Sequence, residues 1–235
     1  IMQGRRDKLF VGTKVSKTTD AAWVRQSLDE SLARMQTDYI DFFMIHWPRQ
    51  QMNIPAMMEA LNEGVQQGKI RYVGSSNFAG WHIAKANEAA KRRNFMGLVS
   101  EQSKYSLAER TVELEVVPAC EDYGVGIIPW SPLDGGLLGG VLAKIESGRR
   151  ASAHMQARVE AIRPQVEGYE AFCAEMGEHP ADVALAWLLH NPVVTAPIIG
   201  PSNVDQLTGS LRALEIQLSD EQLKRLDEIW PGPGG

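Results

Sequence analysis

The stretch Tyr39–Pro48, YIDFFMIHWP, decides how the rest of the chain is read. Phe42 to Ile45 form an unbroken apolar run, as a parallel strand buried on both faces requires. With a side-chain period of two, Ile40, Phe42, Met44 and His46 fall on one face. The run ends in a histidine, followed by Trp47 and the stop signal Pro48. Other segments repeat the plan of an apolar body with a polar or aromatic C-terminal end. LFVGTK ends at Lys14, IRYVGSSN at Ser76 and Asn77, and MGLVSEQ at Gln102. VGIIPWS ends at Trp130 and Ser131, and VVTAPIIG at Gly200, just before Ser202. Polar groups gathered at one end of several parallel strands describe the mouth of a (β/α) barrel.

The segments between these strands carry helical signals. Residues 20–36 place Ala21, Val24, Leu28, Leu32 and Met35 on one stripe. Asn53 is an N-cap with Pro55 in the first turn behind it, and Met58, Leu61 and Val65 form the apolar face before the stop at Gly68. Further helices are expected over 79–92, over 108–123 with a break at Pro118, and over 156–177, 180–190 and 203–213. A last helix begins with the Ser219–Gln222 capping box. Strands are expected at 8–15, 39–46, 70–76, 96–102, 125–131 and 193–199, which makes six strand–helix units. Several strand starts step by roughly 30 residues, the length of one βαβ unit. The fold class is therefore α/β, an eight-stranded (β/α)8 TIM barrel in which the first two βα units are absent. Residues 1–235 form one domain, N-terminally incomplete, because Ile1 to Lys8 read as a helix tail and its exit loop.

Composition bounds the function. At 235 residues and 44% apolar content the chain is large enough for a full core. A net charge of −5 argues against nucleic acid or an anionic membrane as partner. No stretch approaches the roughly 18 apolar residues of a bilayer span, and no signal peptide opens the chain. Cys120 and Cys173 form no CxxC pair and read as reduced, partly buried thiols of a cytoplasmic protein. Loss of N-terminal units would expose apolar barrel surface, which leaves a homo-oligomer open.

In order along the chain, RRDKLFVGTK, TDYIDFFMIHWP, GKIRYVGSSNF, VSEQSKYS, IIPWSPL, PIIGPSN and LDEIWPGPGG resemble the aldo-keto reductase superfamily. They are most similar to a bacterial branch that also resembles the potassium-channel β subunits. The resemblance implies reversible hydride transfer between NADP(H) and a small-molecule aldehyde, ketone or alcohol. It also implies a catalytic tetrad of Asp, Tyr, Lys and His, in which Lys14 matches the lysine and His46 the histidine. The aspartate and tyrosine positions fall before residue 1. None of Tyr39, Tyr72, Tyr105, Tyr123 or Tyr169 matches the tetrad tyrosine. A non-catalytic protein that senses a nicotinamide cofactor, or a catalytically incomplete fragment, is the alternative reading.

The residue chemistry agrees with that resemblance. A phenol is a weak acid at neutral pH unless a nearby cation stabilises its phenolate, which is work for Lys14. His46 can orient a carbonyl through a ring N–H, and Trp47 lines the substrate side. Each also has an ordinary alternative, since a strand-end lysine can simply reach solvent and a lone histidine is often structural. Ser76, Asn77 and Gln102 can hold the nicotinamide carboxamide while Trp130 stacks on the ring. Ser131, Pro132 and Leu133, in a loop rich in glycine, suit a diphosphate, and Gly200 and Ser202 precede a helix N-terminus that suits an anion. Gln206 would face the adenosine. Related sequences often carry arginine where Ser202 stands, and Glu-Asn where Gly209 and Ser210 stand. Arg150 is the residue that can compensate near a 2′-phosphate. NADPH is therefore the expected cofactor, with NADH not excluded, and no metal is expected because no histidine pair has ligand spacing.

Overall fold

The computed structural model describes residues 4–17, 20–144 and 152–234. They divide into two compact units, residues 1–103 with 115–127, and residues 104–114 with 128–235.

The first unit is a parallel sheet of five strands in sequential order. They are β1 (Gly12–Val15), β2 (Ile40–Ile45), β3 (Ile70–Ser76), β4 (Ser100–Gln102) and β5 (Gly126–Ile127). Every neighbouring pair is parallel. The helices between and after them are α1 (Ala21–Met35), α2 (Ile54–Gln66), α3 (Gly80–Lys91) and α4 (Val116–Tyr123). All six residues of β2 are buried, as its apolar run requires of a strand covered on both faces.

Local chemistry sets the helix ends. Asp20 caps α1 by accepting from Ala22 N at 2.7 Å, and the left-handed Gln36 ends it. Asn53 accepts from Ala56 N to start α2, and Gly68, at φ +73°, turns the chain into β3. The α1 stripe buries Val24, Leu28 and Leu32. A Cβ on Gly64 of α2 would lie 2.9 Å from Leu28 and 2.7 Å from Ile70, so its hydrogen lets α2 approach both α1 and β3. The break expected at Pro118 comes earlier. A 3-10 turn at Thr111–Leu114 precedes α4, and Pro118 sits in the first turn of α4, where its missing N–H costs nothing.

The second unit is mostly helical. It contains α5 (Ala153–Ala161), α6 (Arg163–Met176), α7 (Pro180–His190), α8 (Val204–Ser210) and α9 (Asp220–Ile229). The single helix expected over 156–177 is two, because Pro164 begins a new helix behind Ile162. The capping box at Ser219 and Gln222 opens α9, with reciprocal bonds of 2.8 and 3.3 Å.

The sixth strand expected at 193–199 is not part of the sheet among the described residues. Its one ladder-like bond runs from Ile198 N to Pro129 O at 2.8 Å. Pro197 has no N–H to offer, and Ile198 is 43% exposed. Three further strands are shorter than expected, β1 beginning only at Gly12 behind a 3-10 turn at Arg6–Lys8, β4 beginning only at Ser100 and β5 ending at Ile127 before Pro129. Among the described residues no helix is long and apolar enough to cross a membrane.

Candidate functional site

In the first unit, the register places the polar strand ends side by side. Lys14 pairs with Met44, Met44 with Gly74, and Gly74 with Ser100, while one step further Ser76 pairs with Gln102. With alternating side chains, Lys14, Met44, Gly74, Ser76, Ser100 and Gln102 share one face of the sheet, and His46 continues it beyond β2. His46 N donates to Val15 O at 3.0 Å, which carries the β1–β2 pairing past the last strand residue.

Four of the expected residues are joined by hydrogen bonds. Asn77 donates through Nδ2 to His46 O at 3.2 Å and to Ser76 Oγ at 2.9 Å. Ser76 Oγ donates to Gln102 O at 2.8 Å, and Asn77 N donates to the same carbonyl at 3.0 Å. Asn77 stands in the left-handed region at φ +60°, which asparagine tolerates better than other side-chain-bearing residues. Gly74 keeps the face open below Ser76, because a Cβ there would meet the Phe42 ring at 2.5 Å.

Electrostatics link Lys14 to His46. Burial lowers the Lys14 ammonium below its ordinary value. Burial also lowers the His46 imidazole, and the positive charge of Lys14 lowers it further. The pair is thus a cation of reduced affinity for its proton beside a neutral imidazole at pH 7. Trp47 is exposed, with its ring centroid 6.1 Å from that of His46.

Gln102 is buried, and its Oε1 has no hydrogen-bond partner among the described residues. A buried amide oxygen without a donor is costly, and the amide N–H of a ligand would satisfy it. Ser76 and Asn77, bonded to the Gln102 backbone, stand on the adjacent strand end. This donor and acceptor set fits a primary carboxamide.

The second unit holds the other expected residues. Trp130 forms an isolated parallel bridge with Lys104. Ser131, Pro132 and Leu133 open a tight loop in which Asp134 N returns to Ser131 O at 2.8 Å and Gly136 N to Leu133 O at 2.9 Å. Ser131 has φ +55° and Asp134 φ +47°. Gly200, Ser202 and Gln206 are exposed, and the Gln206 side chain accepts from Ser202 N at 2.7 Å. Arg150 lies outside the described residues.

The sequence reading missed the buried carboxylates, among them Glu101 and Asp134. Glu101, on the opposite face of β4 from Gln102, accepts from the Ser75 and Ser103 hydroxyls and from Phe78 N. Its signal was a charged residue within a strand buried on both sides. Asp134, in the second unit, pairs with Lys104 at 3.1 Å and with Arg158. It stands where its loop reads as simply glycine-rich, so only its partners reveal it.

Comparison with known proteins identifies the family. Residues 2–231 match the profile of the Aldo/keto reductase family. The chain is 46% identical over 244 aligned positions to the uncharacterized oxidoreductase YrpG of Bacillus subtilis, covering 98% of this chain and 74% of that protein. It is 30% identical to a putative voltage-gated potassium channel subunit beta of Schizosaccharomyces pombe, covering 93% and 67%. A crystal structure of the thermostable aldo-keto reductase Tm1743 with the inhibitor epalrestat superimposes with a TM-score of 0.76 at 30% identity, covering 97% of this chain and 74% of that one. The chain spans only 54% to 62% of the length of four other relatives. The fold is thus an α/β arrangement of parallel strands alternating with helices, of the kind found in this class of oxidoreductases. The chain belongs to the aldo/keto reductase family.

Proposed function

We propose that this chain carries the cofactor-gripping and carbonyl-orienting part of an NADP(H)-dependent reductase of aldehydes and ketones, in a cytoplasmic protein. The observation that carries the reading is the unpartnered Gln102 Oε1, buried beside Ser76 and Asn77 on the strand ends that also bear Lys14 and His46. When bound, reduced nicotinamide supplies the hydride. Gln102 Oε1 accepts from the carboxamide N–H, and Ser76 and Asn77 complete the contact, which fixes the ring's orientation. Neutral His46 donates a ring N–H to the carbonyl oxygen, and the Lys14 ammonium stabilises negative charge developing there. Trp47 covers the substrate. In the second unit, Trp130 is assigned to the ring face, and Ser131, Pro132 and Leu133 to the diphosphate. Gly200, Ser202 and Gln206 are assigned to the adenosine end, with Arg150 near the 2′-phosphate. A phosphate there must displace the Gln206 contact to Ser202 N.

The proton donor of this reading is a tyrosine, with its aspartate, from outside residues 1–235, in two βα units that complete a single eight-stranded barrel domain. The three tyrosines of the first unit stand away from the site. Tyr39 is sandwiched by Arg6 and Arg71, Tyr72 sits level with Gly12 and Phe42 below Lys14, and Tyr123 donates to Glu88. The same observation favours a second reading, a cofactor-sensing protein without turnover, in the branch similar to potassium-channel β subunits. Binding of NADPH and NADH, followed by fluorescence, and turnover of an aldehyde panel decide between them. Binding with turnover that falls about 100-fold or more in Lys14→Met supports the reductase. Binding without turnover, with the barrel's N-terminal units supplied, supports the sensor, and no binding of either cofactor overturns both.

A further inference from the structure

Glu101 is a buried titratable group of the first unit, next to the site, that the proposed reaction leaves unused. It is 0% exposed on the β4 face turned away from Lys14 and Gln102. Two of the groups that bond it flank the Ser76–Asn77 pair, and a third lies two residues further along its own segment. The Ser75 hydroxyl donates to Oε2 from the residue before, Phe78 N donates to Oε1 at 3.0 Å from the residue after, and Ser103 Oγ donates to Oε1 at 2.7 Å. These donors are neutral, as is the Asn77 backbone amide that also favours the charged form, so among the described residues the ionised carboxylate is held by hydrogen bonds. The titratable group facing it from α4 is Cys120, whose thiol is pushed up to about 12 by burial and then by the charges of Glu101 and Glu121. Cys120 therefore stays protonated through neutral pH.

We propose that Glu101 is a positioning residue that fixes the turn carrying Ser76 and Asn77, so that its protonation loosens the grip on the nicotinamide carboxamide. The inference rests on the reading that Ser76, Asn77 and Gln102 hold that group. The mechanism is a count of donors and acceptors. Ionised, the carboxylate accepts from two hydroxyls and an amide. Protonated, it becomes a donor at one oxygen, and the hydroxyl there must turn from donor to acceptor or lose its partner. The turn between Ser75 and Phe78 then has one tie fewer. Burial raises this carboxyl to about 7 against the Ser75, Ser103 and backbone N–H bonds that favour the charged form, so the change falls near neutrality.

The test is the pH dependence of NADPH and NADH dissociation constants for the 235-residue chain and its Glu101→Gln and Ser103→Ala variants. NADH removes the titration of the 2′-phosphate from the comparison. In the parent protein the constant is expected to rise about three- to tenfold as pH falls from 8 to 6, the loss of one hydrogen bond's effect. Glu101→Gln flattens that dependence. Ser103→Ala, which keeps the carboxyl but removes a donor to its ionised form, moves the midpoint to higher pH and decides the matter if the glutamine variant does not fold. The Phe78 backbone amide proton, followed by NMR in the free protein, should titrate with the same midpoint. Identical pH profiles in the parent and the variants, or a Phe78 amide that does not titrate, overturn the inference alone. Failure of the parent chain to bind either cofactor at any pH overturns the carboxamide reading and this inference with it.

Discussion

Asn77 donates its side-chain amide to the backbone carbonyl of His46 at 3.2 Å, which ties the end of β3 to the end of β2. A residue assigned to the cofactor thereby holds the main chain of a residue assigned to the substrate. The bond exists because Asn77 adopts φ +60°, which turns its side chain back across the strand ends.

Substitution at Asn77 separates the bond from the backbone geometry. Alanine loses the amide and must also adopt a left-handed conformation, at about 1–2 kcal/mol for the strain alone. Glycine loses the amide but accepts the conformation freely. Asn77→Ala should therefore be about 1–3 kcal/mol less stable than the parent in urea unfolding, and Asn77→Gly should be less affected. Both should weaken NADPH binding to a similar extent. Unchanged NADPH affinity in Asn77→Gly would remove the side chain from the cofactor grip.

His46 gives a pH signature. Its imidazole lies below the ordinary 6.5, first through burial and then through the Lys14 charge. In Lys14→Met the charge is gone and the burial remains, so the His46 ring should titrate at higher pH than in the parent and still below 6.5. Ring-proton NMR measures this directly. The sign of the linked stability follows from the depressed folded value. Just below pH 6.5 the unfolded chain binds the proton more readily, so stability falls as pH decreases through that window and is fully present above it.

The parts of this fold legible in the sequence are those that depend on neighbours in the chain. The apolar run Phe42–Ile45 announced β2, and Asn53, Gly68 and Ser219 announced helix ends, because each acts within a few residues. The β4 and β5 strands came out shorter because pairing depends on where the adjacent strand runs, which the apolar stretches around Leu98 and Ile128 do not contain. Lys14, His46, Ser76, Asn77 and Gln102 were visible as polar endings of apolar runs, and sheet register brings them together. Glu101 and Asp41 were not, since their meaning lies in partners such as Ser75 and Arg6, more than a few turns of chain away.

Gly74 tests whether the face below the site needs its missing side chain. A Cβ there would stand 2.5 Å from the Phe42 ring and 2.9 Å from the Ser100 backbone oxygen. Gly74→Ala should cost about 1–3 kcal/mol in thermal or urea unfolding. Phe42→Leu removes the ring atoms in the way but leaves the Ser100 oxygen, so the double variant should be more stable than the sum of the single effects allows. Strict additivity would show that the ring is not what excludes the methyl group.

Asp41 closes the opposite end of β2 and should govern stability without touching the site. Its carboxylate accepts from Val11 N at 2.9 Å and pairs with Arg6 at 2.8 Å and Arg71 at 3.0 Å. Burial alone would raise its pKa, but the Val11 N–H and the two guanidinium groups outweigh it and hold the carboxyl below the ordinary 3.8. Arg71 is half exposed and adds little, whereas Arg6 is mostly buried and would be left without its counter-charge. Asp41→Ala should therefore destabilise the chain by about 3–5 kcal/mol. Because the folded value is depressed, the stability that Asp41 contributes is present above pH 3.8 and is lost as pH falls below it, so the variant's deficit should shrink in acid. NADPH affinity at neutral pH should stay within about twofold of the parent while the chain remains folded, since Asp41 shares no partner with Lys14 or Gln102. A large loss of affinity in a folded Asp41→Ala protein would show that the two ends of the sheet are coupled.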